Sequence, residues 1–272
     1  MEKLLASIER ERFESGAGKY AAYLQTPEGR LRLDLACANL QEFLPPAISG
    51  LRALDIGGGT GAIAVHLAQL GMHVTVLDSS QPMLSRAETS AQEAAVTDRI
   101  ALVHGDAAEI AELLPGSFDL VLCHNILEYV DAPCVVLRGA VRMLRDSSSI
   151  ISILVRNQAG EVLKAAIKDG DLDASERNLT ADSAHESLYG GPVRLFSAES
   201  IHAMLEEASL AAVAERGVRV LSDYLPEKIS RTDEYERVLE LERKLGSRPD
   251  VAAVARYMHV IAHLTPATKD TE

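Results

Sequence analysis

The residues best equipped for chemistry sit at the ends of short apolar runs. "LDIGGGTGA" ends the first run with Asp55, then places Gly57, Gly58, Gly59 and Gly61 within five positions. Glycines at a strand-to-helix turn let the backbone come close to a ligand. Asp78 closes the next run, "MHVTVLD", with Ser79 beside it. A carboxylate there offers two acceptor oxygens, enough for a vicinal diol. Asp106 and Ala107 follow the third run, and His124 and Asn125 follow the fourth, "FDLVLCH". Carboxylates, backbone amides and one imidazole suit a cofactor built on a ribose and a base. The loop satisfies two such patterns at once: G-x-G-x-x-[GA] at Gly57, Gly59 and Ala62, which with Asp78 reads as dinucleotide binding, and D-x-G-x-G-x-G from Asp55. No metal is expected. Cys37, Cys123 and Cys134 are widely spaced without a CxxC pair and read as buried small hydrophobes, and His259 and His263 lack a third ligand.

The elements that must position these residues follow from the periodicity. Residues 1–46 carry apolar positions at helical spacing, closed by Pro45 and Pro46. From Leu51 to Val155 five β-rich runs alternate with amphipathic stretches starting near Thr60, Gln81, Ala107 and Ala132. That rhythm specifies a parallel, doubly wound sheet. After it, residues 158–192 begin as a short helix and become acidic, and read as a loop or lid. Residues 196–264 form an αβαβ tail whose final strand, within "ARYMHVIAHL", is expected to lie antiparallel beside strand five. The expectation is one α/β domain over 1–272: a Rossmann-like, doubly wound seven-stranded sheet with an antiparallel last strand, a cofactor-binding core at 51–155 and an N-terminal helical cap.

Asp55 before the turn, helices ahead of the sheet and an antiparallel tail resemble the class I S-adenosylmethionine-dependent methyltransferases more than the dehydrogenases. On that resemblance S-adenosyl-L-methionine is the cofactor. Asp55 organises the turn, the glycines (Gly57, Gly58, Gly59) approach the methionine half, Asp78 with Ser79 holds the ribose, and Asp106 with the Ala107 amide holds the adenine. His124 and Asn125 then border the transferred methyl group, His124 as a ligand of the methionine portion or as a base. Methyl transfer from a sulfonium is an in-line displacement that mainly needs alignment in a dry pocket. An amine, alcohol or carbon nucleophile needs a base; a carboxylate needs none.

More specific stretches lie outside the core. "TPEGRLR" at Thr26 to Arg32, "RNQAG" ending at Gly160, "GVRVLSDYLPEK" at Gly217 to Lys228, "LELE" at Leu239 to Glu242 and "ARYMHVIAH" at Ala255 to His263 resemble the bacterial tRNA 5-carboxymethoxyuridine methyltransferases. The resemblance implies cofactor contacts from Arg32, Gly57, Gly58, Asp78, Asp106, Ala107 and His124. It also implies a carboxylate acceptor in tRNA, for which Arg219, Tyr224 and Lys228 are the candidate partners, since a carboxylate needs a cation to orient it. Three observations oppose tRNA. The chain carries a net charge of −13, and where the family has a lysine cluster it reads "DGDLDASERNLTADSAHE". Aromatic residues are only 4% with no Trp, leaving little stacking surface. A small-molecule acceptor is therefore the alternative substrate, and a non-catalytic cofactor-binding module the alternative class. With neither a signal-peptide pattern nor a membrane-length apolar run, the expected location is the cytoplasm, with no membrane partner.

Overall fold

The computed structural model describes residues 2–226, 229 and 232–265, with side chains from residue 12 onward. Lys228 lies outside the described residues. Two helices, α1 (Glu2–Leu24) and α2 (Pro27–Gln41), precede the sheet. Thr26 caps α2 by accepting from the Gly29 amide at 3.1 Å, with Pro27 at the first helical position. A Cβ on Gly29 would lie 2.0 Å from the Tyr23 carbonyl oxygen, so only glycine lets α2 turn this tightly off α1.

The alternating core is β1 (Arg52–Ile56), α3 (Ala62–Gln69), β2 (His73–Asp78), α4 (Gln81–Glu93), β3 (Ile100–His104), α5 (Ile110–Leu113), β4 (Leu120–His124), α6 (Pro133–Arg142) and β5 (Ile150–Arg156). After it come α7 (Gln158–Leu163), a π-helical turn at Lys164–Lys168, α8 (Leu172–Asn178) and the hairpin β6 (Ser183–Glu186) and β7 (Gly191–Arg194). The chain continues with α9 (Ala198–Glu207), β8 (Leu210–Val218), α10 (Tyr235–Gly246), α11 (Pro249–Ala252) and β9 (Tyr257–Leu264).

Seven strands join in the order β3-β2-β1-β4-β5-β9-β8, with β6 and β7 forming a separate pair. All pairings from β3 through β5 are parallel, and β9 is antiparallel to both β5 and β8. The switch point lies between β1 and β4, each of which leads to a different flank. Both faces are buried, and successive residues serve opposite cores. On β4, Leu120 and Leu122 pack with α2 and α3, while Val121 and Cys123 pack with α6 and α9. Among the described residues no helix is long and apolar enough to cross a membrane.

Three expectations need correction. The segment 158–192 is not a loop: it folds into α7, α8 and most of a hairpin. Two of its acids are helix-start signals. Asp171 accepts from the Ala174 amide as the α8 cap, and Asp173 lies in its first turn. The helix expected from Ala107 is a tight turn at Ala107–Glu109 followed by the single turn α5. Of the three cysteines, Cys134 is only half-buried.

Candidate active site

At the carboxyl edge of the parallel strands, under α1 and the β6–β7 hairpin, lies a cavity of about 1230 Å³. Its floor is the β1–α3 turn. Gly57, Gly59 and Gly61 have φ of 67°, 55° and 72°, a region that side chains rarely adopt. A Cβ on Gly57 would come within 2.7 Å of Ile126.

Gly57 and Gly59 line the cavity; Gly58 and Asp55 do not. Asp55 lies beneath the turn, its carboxyl 2.6 Å from where a Cβ on Gly58 would sit. Gly58 is thus required by packing against Asp55, and Asp55 supports the turn from below. Burial, with Asp78 nearby, pushes the Asp55 carboxyl up to about 7.

Asp78 ties the end of β2 to that turn, accepting from the Gly59 amide at 2.9 Å and the Ser80 amide at 2.8 Å. Each oxygen keeps further acceptor capacity at the cavity wall, where Ser79 also lies. Asp106 accepts from the Ala108 amide at 2.9 Å, and both it and Ala107 line the cavity, so a cap and a ligand position coincide here.

His124 stands at the end of β4 with Nε2 2.7 Å from the Ser152 hydroxyl; its Nδ1 is buried with no partner among the described residues. Burial, the neighbouring His259 ring and Arg32 hold its pKa well below the ordinary histidine value, so it is neutral. Asn125 lines the cavity with φ of 52° and donates to Glu128 Oε1 at 2.9 Å. Its amide nitrogen is therefore engaged in holding the corner.

Arg32 reaches the cavity from α2. It donates to the Tyr20 hydroxyl at 2.9 Å, its guanidinium 5.1 Å from the Tyr23 ring and 5.8 Å from the Tyr257 ring. No carboxylate of the described residues pairs with this buried cation. A charge buried in that way calls for an anion.

The opposite end is built by β5, the turn after β8, and the start of β9. Arg156, Lys168, Arg219 and Arg256 converge there on two carboxylates. Glu161 takes Arg156 at 3.0 Å and Arg256 at 2.7 Å. Asp223 pairs with Arg219, and lies 3.9 Å from Lys168 and 4.0 Å from Arg256. Four cations against two acids leave an excess of positive charge on a largely buried wall.

Tyr257 stands among them, with the Arg156 and Arg219 guanidiniums each 6.0 Å from its ring. Burial alone would raise its pKa, but Arg156, Arg32, Arg219 and Arg256 outweigh it and bring the phenol down to about 8.

Arg219 adopts a left-handed backbone with φ of 62°. The turn that follows is held by Glu242 of α10, fully buried, which accepts from the Val220, Leu221 and Ser222 amides at 2.6, 3.1 and 2.7 Å. Tyr224 does not line the cavity; its neighbour Asp223 does. The site residues missed in the sequence are thus Arg156, Glu161, Lys168, Asp223, Arg256 and Tyr257. For Arg156, Asp223, Arg256 and Tyr257 the signal was present: each falls at a strand end or in the turn after β8, within or next to a stretch that carries the family resemblance.

Composition also misled about aromatics. Five of the seven tyrosines, with Phe13, line this one cavity. Tyr189, in the hairpin turn, stacks on Tyr20 at 6.0 Å and meets Phe13 edge-on at 5.1 Å. Glu186 holds that turn by accepting from the Leu188 and Tyr189 amides, and Arg12 of α1 clamps the hairpin by donating to the Pro192 carbonyl at 3.1 Å.

Residues 54–152 match a family described as a methyltransferase domain. Over 268 residues the chain is 30% identical to the tRNA 5-carboxymethoxyuridine methyltransferase of Escherichia coli (strain K12), covering 95% of this chain and 97% of that protein. The chain belongs to the class I S-adenosylmethionine-dependent methyltransferases. A ubiquinone biosynthesis O-methyltransferase of Xanthomonas campestris pv. campestris (strain B100) is 32% identical over 136 residues, 49% of this chain and 53% of that protein. The fold is shared with magnesium protoporphyrin IX methyltransferase from Synechocystis PCC 6803, solved with bound S-adenosylhomocysteine: TM-score 0.65, 14% identity, 96% of this chain and 100% of that one.

This methyltransferase is therefore an enzyme rather than a non-catalytic binding module, and its cofactor is S-adenosyl-L-methionine. The dinucleotide reading of the glycine loop is set aside. The residues present fit the cofactor: a turn that a Cβ would obstruct, a carboxylate with acceptor capacity to spare, and an anion-seeking guanidinium.

Proposed function

We propose that this methyltransferase esterifies a carboxylate, and that its acceptor is the 5-carboxymethoxy group of a tRNA uridine. The observation that carries the reading is the cationic wall, where the ion pairs of Arg156, Lys168, Arg219 and Arg256 among the described residues run to Glu161 and Asp223. A carboxylate entering there offsets part of the excess positive charge and accepts from planar donors suited to its geometry.

The bound cofactor supplies an electrophilic methyl on a sulfonium. With it bound, an acceptor oxygen would form the new C–O bond as the C–S bond broke, the electron pair leaving on a neutral thioether sulfur. No proton moves, so no base is required of this chain. Its residues bind, orient and exclude water. Gly57 and Gly59 give the backbone close approach, Asp78 and Ser79 take the ribose, and Asp106 with the Ala107 amide takes the adenine. Arg32 takes the carboxylate of the methionine half.

Choice of tRNA rests on coverage. The Escherichia coli tRNA enzyme aligns over 95% of this chain, leaving little room for the acceptor wall to fall outside the likeness, whereas the ubiquinone enzyme aligns over 49%. The cytoplasm is then the place of work. The test is nucleoside mass spectrometry of tRNA from a strain lacking the gene: the methyl ester of 5-carboxymethoxyuridine should disappear and return on complementation. Undiminished ester would point instead to a small carboxylic acid, the reading favoured by the net charge of −13.

A further inference from the structure

Behind His124 a line of buried polar side chains crosses the sheet. His124 pairs with Leu154 and Leu154 with His259, while Ser152 lies two residues before Leu154. The strand period therefore sets His124, Ser152 and His259 on one face. The Ser152 hydroxyl is 2.7 Å from His124 Nε2 and 2.8 Å from His259 Nε2. His259 Nδ1 is 3.4 Å from the Asn39 amide nitrogen on α2. Asn39, Ser152 and His259 are all buried.

A hydroxyl has one proton, so Ser152 donates to only one of the two rings. Asn39 sets the direction. Its amide nitrogen only donates, so His259 Nδ1 accepts and the proton of that ring sits on Nε2. His259 Nε2–H then donates to Ser152, and Ser152 must donate to His124 Nε2. His124 consequently carries its proton on Nδ1, the buried nitrogen left without a partner on a ring that lines the cavity. Burial keeps both imidazoles neutral, so no second ring proton disturbs the order.

We infer that Asn39, Ser152 and His259 are positioning residues that fix His124 as a hydrogen-bond donor towards the cavity and deny it the role of general base. Its Nε2 lone pair is occupied by Ser152, so it has none free to take a proton from a nucleophile. Its Nδ1–H stands near Arg32 and suits an oxygen of the methionine carboxylate. The inference rests on the cofactor alone and holds whatever the acceptor is.

Nitrogen-15 NMR of the histidine-labelled enzyme tests it directly, with the His124 signals assigned by their loss in His124→Gln. The expected spectrum has His124 neutral and protonated at Nδ1, and that signal moves when S-adenosylhomocysteine is added. Ser152→Ala should mix the two tautomers and weaken S-adenosylhomocysteine binding about tenfold by calorimetry, and Ser152→Thr, which keeps the hydroxyl, should restore both. A wild-type His124 protonated at Nε2 would overturn the inference. So would a Ser152→Ala variant with unchanged tautomer and unchanged affinity. The wild-type spectrum decides the matter even if Ser152→Ala fails to fold.

Discussion

Asp78 and the Arg32 guanidinium hold different parts of the proposed cofactor, its ribose and its methionine carboxylate, and they should fail in the same assay. Asp78→Ala removes an acceptor that also holds the Gly59 and Ser80 amides, and Arg32→Ala removes the anion partner. Each should abolish most of the thermal stabilisation given by S-adenosylhomocysteine, a loss of about 2–3 kcal/mol in a charged hydrogen bond. An unchanged shift in either variant would contradict its assignment. Arg219→Gln should behave differently, raising the acceptor KM ten- to a hundredfold while leaving that thermal shift intact; an equal loss of cofactor binding would place Arg219 elsewhere.

That Gly57, Asp78, Asp106 and His124 meet at one cavity was legible because each follows or ends a strand at one sheet edge. Asp55 was read as the organiser of the turn and lies beneath it; that Gly58 packs on Asp55 rather than lining the cavity was not legible, since spacing counts glycines without saying which face each presents. Arg156 and Arg256 were missed because their charge acquires meaning only when β5 and β9 become neighbours, about a hundred residues apart in the chain.

Among the elements, α10 shows how a helix remote from the cavity shapes it. Glu242 satisfies three amides in the turn that carries Arg219 towards the cations. Glu242→Ala leaves those donors buried and unpaired, and should cost about 3–5 kcal/mol in urea unfolding with a raised acceptor KM. A change under 1 kcal/mol would mean that the turn holds itself.

The alternating core could be read from periodicity, its five strands falling within a residue or two of the apolar runs. Segment 158–192 could not, because a capping aspartate and a solvated aspartate have the same letter; only the following turn of α8 tells them apart. "RNQAG" is a parallel case. Asn157 donates to the Ala253 and Ala255 carbonyls, and a Cβ on Gly160 would lie 2.4 Å from that last oxygen. The motif is a clasp between β5 and β9, and only the tertiary structure says so.

Over the whole molecule, charge is zoned. The net charge is −13, yet the acceptor wall is cationic. Acid should act on the protein in two opposed ways, because the Asp55 carboxyl, raised to about 7, gains stability by protonating while the buried imidazoles lose it by resisting a proton. His259 is held down to about 3 by burial and Arg216, and His124 is likewise depressed. A base with a lowered folded pKa contributes stability that is present above its ordinary value near 6.5 and lost as pH falls towards the folded value. At pH 5 the His259 ring should have cost about 2 kcal/mol. Urea stabilities at pH 7.5 and pH 5 should therefore diverge differently in His259→Gln, which loses about 2 kcal/mol less on acidification than the wild type. Equal divergence in the variant would show that His259 charges freely in the fold.

The reversed strand β9 also bears on synthesis. It lies between β5 and β8, both of which leave the ribosome before it. The glycine turn, Asp78, Asp106 and His124 all belong to the earlier, contiguous stretch, so the pocket for the methyl donor can assemble while β5 still offers an unpaired edge. Tyr257, first residue of β9, then arrives with Arg256 at the edge where the parallel strands finish, because that strand runs the other way. On the growing chain, the wall facing the acceptor is the last to be closed.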